Sequence, residues 1–306
     1  MRLDQLAPGH VKFDEPLAHL TTFGLGGPAD ALVEPDSISE LSEVLRFARN
    51  RRMPLFLLAA GSNVLFRDGG FPGVVVKLGP GFSKLDVLGS DGDRVTVEAG
   101  AAVSIGSLIK FLQKEGLSGL EFLAGIPGTV GGALAMNAGA FGGEISDLLH
   151  VLHVLDADGQ VKKLSQSQIS ASYRHLDLPD GSIIVKAMFI LTRSTTGQVK
   201  EKIRGYLGRR WTVQPTGVKS AGSIFKNPSL EPAGKLIDQA GLKGRSIGRA
   251  WVSEKHANFI VHRGEACAGD VIQLIDLVQS EVRKKFGVEL EPEIIIEGVD
   301  READPK

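Results

Sequence analysis

Cysteine is almost absent from this chain: Cys267 is the only one in 306 residues. One thiol can form neither an internal disulfide nor a multi-cysteine metal centre, and such scarcity is typical of a reducing compartment. No basic run exceeds a few residues, and 35 Lys and Arg against 36 Asp and Glu leave a formal net charge of −1. A nucleic-acid surface needs a basic stripe, so that class of partner is excluded. No stretch reaches the roughly 18 uninterrupted apolar residues of a membrane helix. The opening MRLDQLAPGHVKFDE holds no apolar core of signal-peptide length. The cytoplasm is the expected location. No Gly-Lys-Ser/Thr follows a glycine loop and there is no Gly-x-Ser-x-Gly elbow, which removes the phosphate-loop and hydrolase motifs.

Two further leads fail on local grounds. Gly24-Leu25-Gly26-Gly27-Pro28-Ala29 matches a dinucleotide fingerprint, but that motif must open a helix. Here the apolar Ala31-Leu32-Val33 runs out at Pro35 and leaves no room for one. His150 and His153 are three apart in an apolar, strand-like stretch, a setting for packing residues rather than metal ligands. No metal site is expected.

What the chain does have is glycine in one unusual place. Gly119 to Ile145 reads GLEFLAGIPGTVGGALAMNAGAFGGEI, nearly uncharged, with one proline, Pro127. A flexible linker of that glycine content would carry serine and other polar residues. Here Leu123, Ile126, Val130, Leu134, Met136 and Phe141 interrupt the glycines, so the segment is expected to be buried. Buried N–H groups need partners, and glycine lets a backbone approach a ligand closely. A loop facing something large, flat and phosphorylated satisfies both. A second loop, Gly61-Ser62-Asn63, follows the apolar run Pro54–Ala60. It reads equally as a phosphate nest at a strand end or as an ordinary tight turn.

Around these loops the pattern alternates. Ser37-Ile38-Ser39-Glu40 is a capping box opening a helix to about Asn50. Strands are expected at Pro54–Ala60 and Gly73–Leu78, a hairpin at Leu85–Val97, and a helix from Ser104 to Glu115 stopped by Gly116. Strands follow near His150–Leu155 and Ile183–Leu191. A basic helix spans Lys200–Trp211, the longest helical pattern spans Ala266–Phe286 with Ile272, Ile275, Val278 and Val282 as its stripe, and Glu289–Glu297 returns to strand. Because many strand connections are hairpins, the fold class is α+β rather than a doubly wound sheet. The expected division is 1–70, 71–212, 213–286, and a final strand at 287–306 folding back on the earlier parts.

Five separated blocks carry a resemblance. They are Leu20-Thr21-Thr22-Phe23-Gly24 with the two loops, Tyr173-Arg174, Ala221 to Pro228 (AGSIFKNP), Ser253 to Ile260 (SEKHANFI), and Leu290-Glu291-Pro292-Glu293. In this order they resemble the UDP-N-acetylenolpyruvoylglucosamine reductases, over almost the whole chain. The resemblance implies a two-part FAD-binding module of the vanillyl-alcohol-oxidase type, covering 1–70 and 71–212, with a separate α+β substrate-binding domain. It implies that FAD, reduced by NADPH, serves reduction of the enolpyruvyl group of UDP-N-acetylglucosamine-enolpyruvate to UDP-N-acetylmuramate in peptidoglycan synthesis. A monomer is expected. The interval between the Tyr-Arg and Gly-Ser blocks is short, and the only other tyrosine is Tyr206; this matches the group of these reductases without a lid-tyrosine insert.

The same resemblance assigns residues. FAD is expected against Gly61, Ser62 and Asn63, and against Gly125, Pro127, Gly128, Thr129, Gly131, Gly132, Asn137, Gly139 and Gly143. Neither loop contains histidine, so a covalent histidyl link is not expected. Arg174, Ser223 and Glu293 match the catalytic positions. A guanidinium suits a developing enolate because it is a rigid two-pronged donor; the plain alternative is an ion pair with Asp177. Ser223 matches the proton donor, and its alternative is a turn or helix cap. Glu293, in an apolar run, must find a partner if buried; a solvated edge strand is the other reading. Tyr173, Lys226 and Asn227 are candidates for substrate, with Arg209 and Arg210 weaker ones at an ordinary basic helix end. The chain departs from the family pattern at Ala59-Ala60, where a glycine is usual, at Leu176, often serine, and at His262, commonly asparagine. A related FAD-dependent oxidase, or a silent UDP-sugar-binding protein with this fold, are the competing readings; neither would need Arg174, Ser223 and Glu293 together.

Overall fold

The computed structural model describes residues 3–301, and the described chain divides into two compact units. The first comprises residues up to 11, 33–60 and 76–210; the second comprises 12–32, 61–75 and 211 onward.

The first unit is built on an antiparallel sheet. Its strands lie in the order Val161–Ser165, Leu149–Leu155, Ile183–Arg193, Arg94–Gly100, Leu85–Asp91, with the short Leu117–Ser118 beside the end of Ile183–Arg193. Ile183–Arg193 is central because its apolar residues alternate toward the core: Val185, Ala187, Phe189 and Leu191 are buried. The helix Ile105–Glu115 lays Leu108, Ile109 and Leu112 on that core. It starts where the Ser104 hydroxyl accepts the Ser107 N–H and stops at Gly116, whose φ of +62° ends it. The helix Ile38–Arg51 begins at the expected box, with Ser37 accepting from the Glu40 N–H and Glu40 accepting from the Asp36 N–H. His150 is exposed, and half-buried His153 lies opposite Lys186. No metal-binding cluster of His, Cys, Asp or Glu occurs among the described residues. Nor is any described helix long and apolar enough to cross a membrane.

The second unit packs around the helix Ala268–Phe286. Its buried stripe is Val271, Leu274, Ile275, Val278 and Val282, so the expected stripe shifts by one residue at its start: Ile272 is only half-buried. The Asp68 carboxylate accepts the Ala268 and Gly269 N–H groups, both at 2.9 Å, and so holds the first turn. The expected strand Glu289–Glu297 is shorter than its apolar pattern. Only Ile295–Glu297 forms a ladder, parallel to Val64–Phe66, while Pro292 makes an isolated antiparallel bridge with Phe225. That position tolerates proline: the bonds of the bridge run from Lys226 N–H to Glu291 O and from Glu293 N–H to Ile224 O, so Pro292 gives up no ladder bond.

His262 anchors the block at residues 20–24. It is fully buried, its Nε2 lies 2.6 Å from the Phe23 carbonyl, and its Nδ1 accepts the Gly264 N–H at 2.9 Å. Those two bonds fix the neutral ring with the proton on Nε2. Burial lowers its pKa below the ordinary value; the Phe23 carbonyl opposes this and Lys219 adds to it. A histidine with a depressed folded pKa contributes stability that is complete above the unfolded value of about 6.5 and is lost as pH falls below it. We predict that melting temperature drops more steeply between pH 7 and pH 5 in the parent protein than in His262→Asn. Equal slopes would show that His262 does not titrate against folding.

Candidate active site

In the first unit the glycine-rich segment is not one loop. Residues Val130–Ala135 form a short helix, capped by Thr129, whose hydroxyl accepts the Gly132 N–H. This corrects the expectation of irregular backbone throughout. Several N–H groups expected to face a ligand are used internally: Val130 donates to Val103 O and Gly131 to Ala101 O. Their glycines serve close packing instead. A Cβ on Gly131 would lie 2.9 Å from the Ala101 Cβ, and one on Gly132 would lie 2.9 Å from that of Ala59. Ala59 and Ala60 are not among the residues with positive φ, so alanine costs nothing there.

What remains open is specific. The N–H groups of Gly125, Gly128 and Thr129 make no backbone hydrogen bond among the described residues. Beside Gly125, Arg210 donates Nε–H to Ala124 O at 3.2 Å while its Nη2 is buried without a partner. Burial lowers the pKa of this guanidinium. Gly125 has φ +79°, and a Cβ there would come within 3.0 Å of Arg210 Cδ and Leu207. A buried guanidinium nitrogen is costly unless an acceptor meets it. With the open Gly125 N–H beside it, this nitrogen suits an anionic cofactor such as FAD. Sequence reasoning ranked Arg210 low because a basic helix end is commonplace; only its burial distinguishes it. Phe141, at φ +56°, stacks on Tyr206 at 5.3 Å between centroids.

The segment then closes into the tight pair Gly139–Ala140 and Gly143–Glu144. Asn137 is fully buried at φ +40°. Its Nδ2 donates to Glu144 at 2.7 Å and to Ser172 O at 3.1 Å, and its Oδ1 accepts the Ser146 N–H at 3.4 Å. Ser172 pairs with His175, so Tyr173 and Arg174 are the two turn residues of a hairpin, and Asn137 holds its near side. Arg174 has φ +59° with its guanidinium 5.0 Å from the Tyr173 ring centroid. A turn there favours Gly, Asn or Asp; a long side chain held in that region points to use rather than to backbone preference.

In the second unit the remaining candidates converge. Glu293 N–H donates to Ile224 O at 2.7 Å, which sets the segments carrying Ser223 and Glu293 side by side. Asn63 donates its carboxamide to Glu293 O at 3.0 Å and accepts the Ile295 N–H on its own carbonyl at 3.0 Å. Gly61 has φ +61°, and a Cβ there would sit 2.1 Å from Leu20 O. Thr22 accounts for this closeness: its N–H donates to Gly61 O at 2.9 Å and its hydroxyl to Ser220 O at 2.8 Å. The Lys226 ammonium is paired with Glu291, and Asn227 accepts the Ala233 N–H at 3.0 Å, opening the helix Ala233–Gln239. Ser223 and Glu293 are both half-buried.

Residues 29–165 match the model of an FAD-binding domain, and residues 214–297 match that of the UDP-N-acetylenolpyruvoylglucosamine reductase C-terminal domain. The UDP-N-acetylenolpyruvoylglucosamine reductase of Syntrophus aciditrophicus is 44% identical over 98% of this chain and 96% of its own length. That of Clostridioides difficile is 41% identical, covering 97% of each. The chain belongs to the UDP-N-acetylenolpyruvoylglucosamine reductase family. The crystal structure of the family's enzyme from Thermus caldophilus superposes with a TM-score of 0.79 at 35% identity, over 94% of this chain and 97% of that one. Membership makes the chain an FAD-dependent oxidoreductase, and in this chain the Asn137 bonds tie the glycine-rich segment to the hairpin of Arg174.

We predict that Asn137→Ala destabilises the first unit by about 1–3 kcal/mol, the usual cost of leaving buried polar groups unpaired. The more specific sign is faster amide exchange across Ser172–His175. Unchanged exchange there would mean that Asn137 does not hold the hairpin.

Proposed function

We propose that this reductase converts UDP-N-acetylglucosamine-enolpyruvate to UDP-N-acetylmuramate for peptidoglycan synthesis, with NADPH as electron donor and Arg174, Ser223 and Glu293 as its catalytic side chains. The observation that carries the reading is the 2.7 Å bond from Glu293 N–H to the carbonyl of Ile224, next to Ser223. When bound and reduced by NADPH, the flavin would supply a hydride to the β-carbon of the enol ether, which no side chain can do. Gly61, Ser62, Asn63, Gly125, Gly128, Thr129 and Arg210 are the groups we assign to holding it.

The protein's own chemistry is the rest. Hydride addition leaves charge on the α-carbon and the carboxylate. The Arg174 guanidinium meets that charge with two parallel donors. Ser223 breaks its O–H bond as the α-carbon gains a C–H bond; the electron pair stays on the serine oxygen, which regains a proton from solvent. The product carries one hydride and one proton across the former double bond. An ionised Glu293 near the enolate would oppose its formation, so Glu293 acts protonated or by orienting a donor or water. Tyr173, Lys226 and Asn227 are assigned to the substrate, with Lys226 exchanging Glu291 for a phosphate oxygen. We place the protein in the cytoplasm, in the group without a lid tyrosine, and as a monomer; a light-scattering mass of two chains would correct the last point.

In stopped-flow, Ser223→Ala should keep flavin reduction by NADPH and lose roughly 10²–10⁴-fold in flavin reoxidation by substrate, the usual worth of general acid catalysis. Arg174→Lys should slow the same half-reaction, because an ammonium cannot make a two-pronged contact. Near-parental reoxidation in Ser223→Ala would show that another group supplies the proton.

A further inference from the structure

Phe225 is buried, and its bridge with Pro292 uses the N–H and C=O groups of its neighbours, not its own. In a sheet, a third strand would take the Phe225 groups. No strand does so here. The side chain of Asn258 replaces it: Oδ1 accepts the Phe225 N–H at 3.0 Å and Nδ2 donates to Phe225 O at 2.8 Å. Its main chain extends the match, since Asn258 O accepts the Ile224 N–H at 2.9 Å. Asn258 is itself buried, and its N–H donates to His256 Nδ1 at 3.2 Å. A carboxamide has the donor and acceptor of a peptide group in one plane, so one side chain completes the pairing of one residue.

The segment after Ser223 is therefore held from both sides, by Asn258 on one and by Glu291 and Glu293 on the other. On the Ser223 side, Gly222 has φ +77° and nothing within 4 Å of a Cβ placed on it. The serine follows a glycine at positive φ and enters a segment clamped at its next two residues, so the clamp fixes the chain on that side of the hydroxyl. We propose that Asn258 is a positioning residue for proton transfer, acting through the Phe225 peptide groups to fix the Ser223 hydroxyl. This rests on Ser223 being the proton donor. Asn258 lies in the Ser253–Ile260 block, to which no catalytic role has been attached so far.

The test compares Asn258→Ala, Asn258→Asp and Ser223→Ala in the flavin-loaded enzyme, following both half-reactions and the solvent deuterium isotope effect on reoxidation. A small displacement of a reacting group can cost about 10²-fold. Asn258→Ala should slow reoxidation toward that figure, raise its isotope effect, and leave reduction by NADPH unchanged. Asn258→Asp keeps the acceptor for the Phe225 N–H and loses the donor, so it should fall between parent and alanine; if the alanine variant does not fold, this variant decides. In the Ser223→Ala background, Asn258→Asp should add no further loss. Equal slowing of both half-reactions, or an unchanged isotope effect, overturns the positioning role. If Ser223→Ala itself reoxidises at the parental rate, the proton-donor reading fails instead, and the two failures are told apart by that variant alone.

Discussion

The bridge between Phe225 and Pro292 is the contact that orders the second unit around Ser223 and Glu293. It joins two segments far apart in sequence, one carrying Ser223 and the other Glu293, through two main-chain bonds. Main-chain bonds have fixed geometry, so the pairing sets where both segments run before any side chain is considered. The other contacts of this region attach to it. Asn63 holds the Glu293 carbonyl, Thr22 joins the Gly61 loop to Ser220, and Asn258 closes the open side of Phe225. Each is a side chain bonded to a backbone group of another segment.

The first unit solves a different problem. Its glycine-rich segment must pass close to Ala101, Ala59 and Arg210, where a side chain would collide. Glycine serves there chiefly as absence of bulk, and only a few positions keep an N–H free. The contrast with Arg174 is instructive. At that hairpin turn a glycine would relax the backbone, yet the chain keeps a guanidinium at positive φ. Asn137, reaching across to Ser172, helps hold a conformation that local preference disfavours.

Much of this was legible in the sequence because the signals were local. The capping box at Ser37, the stop at Gly116 and the long helix ending at Phe286 rest on neighbouring residues, and each lies where the pattern puts it. The five blocks named the family for the same reason. The expected strand at Glu289–Glu297 was overextended because its ladder partner is set by tertiary pairing, with Pro292 standing at a lone bridge. The short helix at Val130–Ala135 was hidden because glycine masks the helical period. Asn258 stood in one of the five blocks with no role attached: that role depends on which backbone groups another segment leaves open, and nothing in an asparagine's own surroundings records that.

The order of synthesis gains a meaning from the parallel pairing of Val64–Phe66 with Ile295–Glu297. A ribosome delivers Asn63 and Glu293 230 positions apart. The stretch 76–210 belongs wholly to the first unit and emerges in between. That stretch has its sheet partners within itself, and Phe71–Val76 pairs with the earlier Pro28–Val33, whereas Val64–Phe66 cannot form its ladder until nearly the last residues are made. Val64–Phe66 thus spends most of translation without its ladder partner. Any nascent-chain helper of this protein has its longest window of work there, on a strand whose partner has not yet been born.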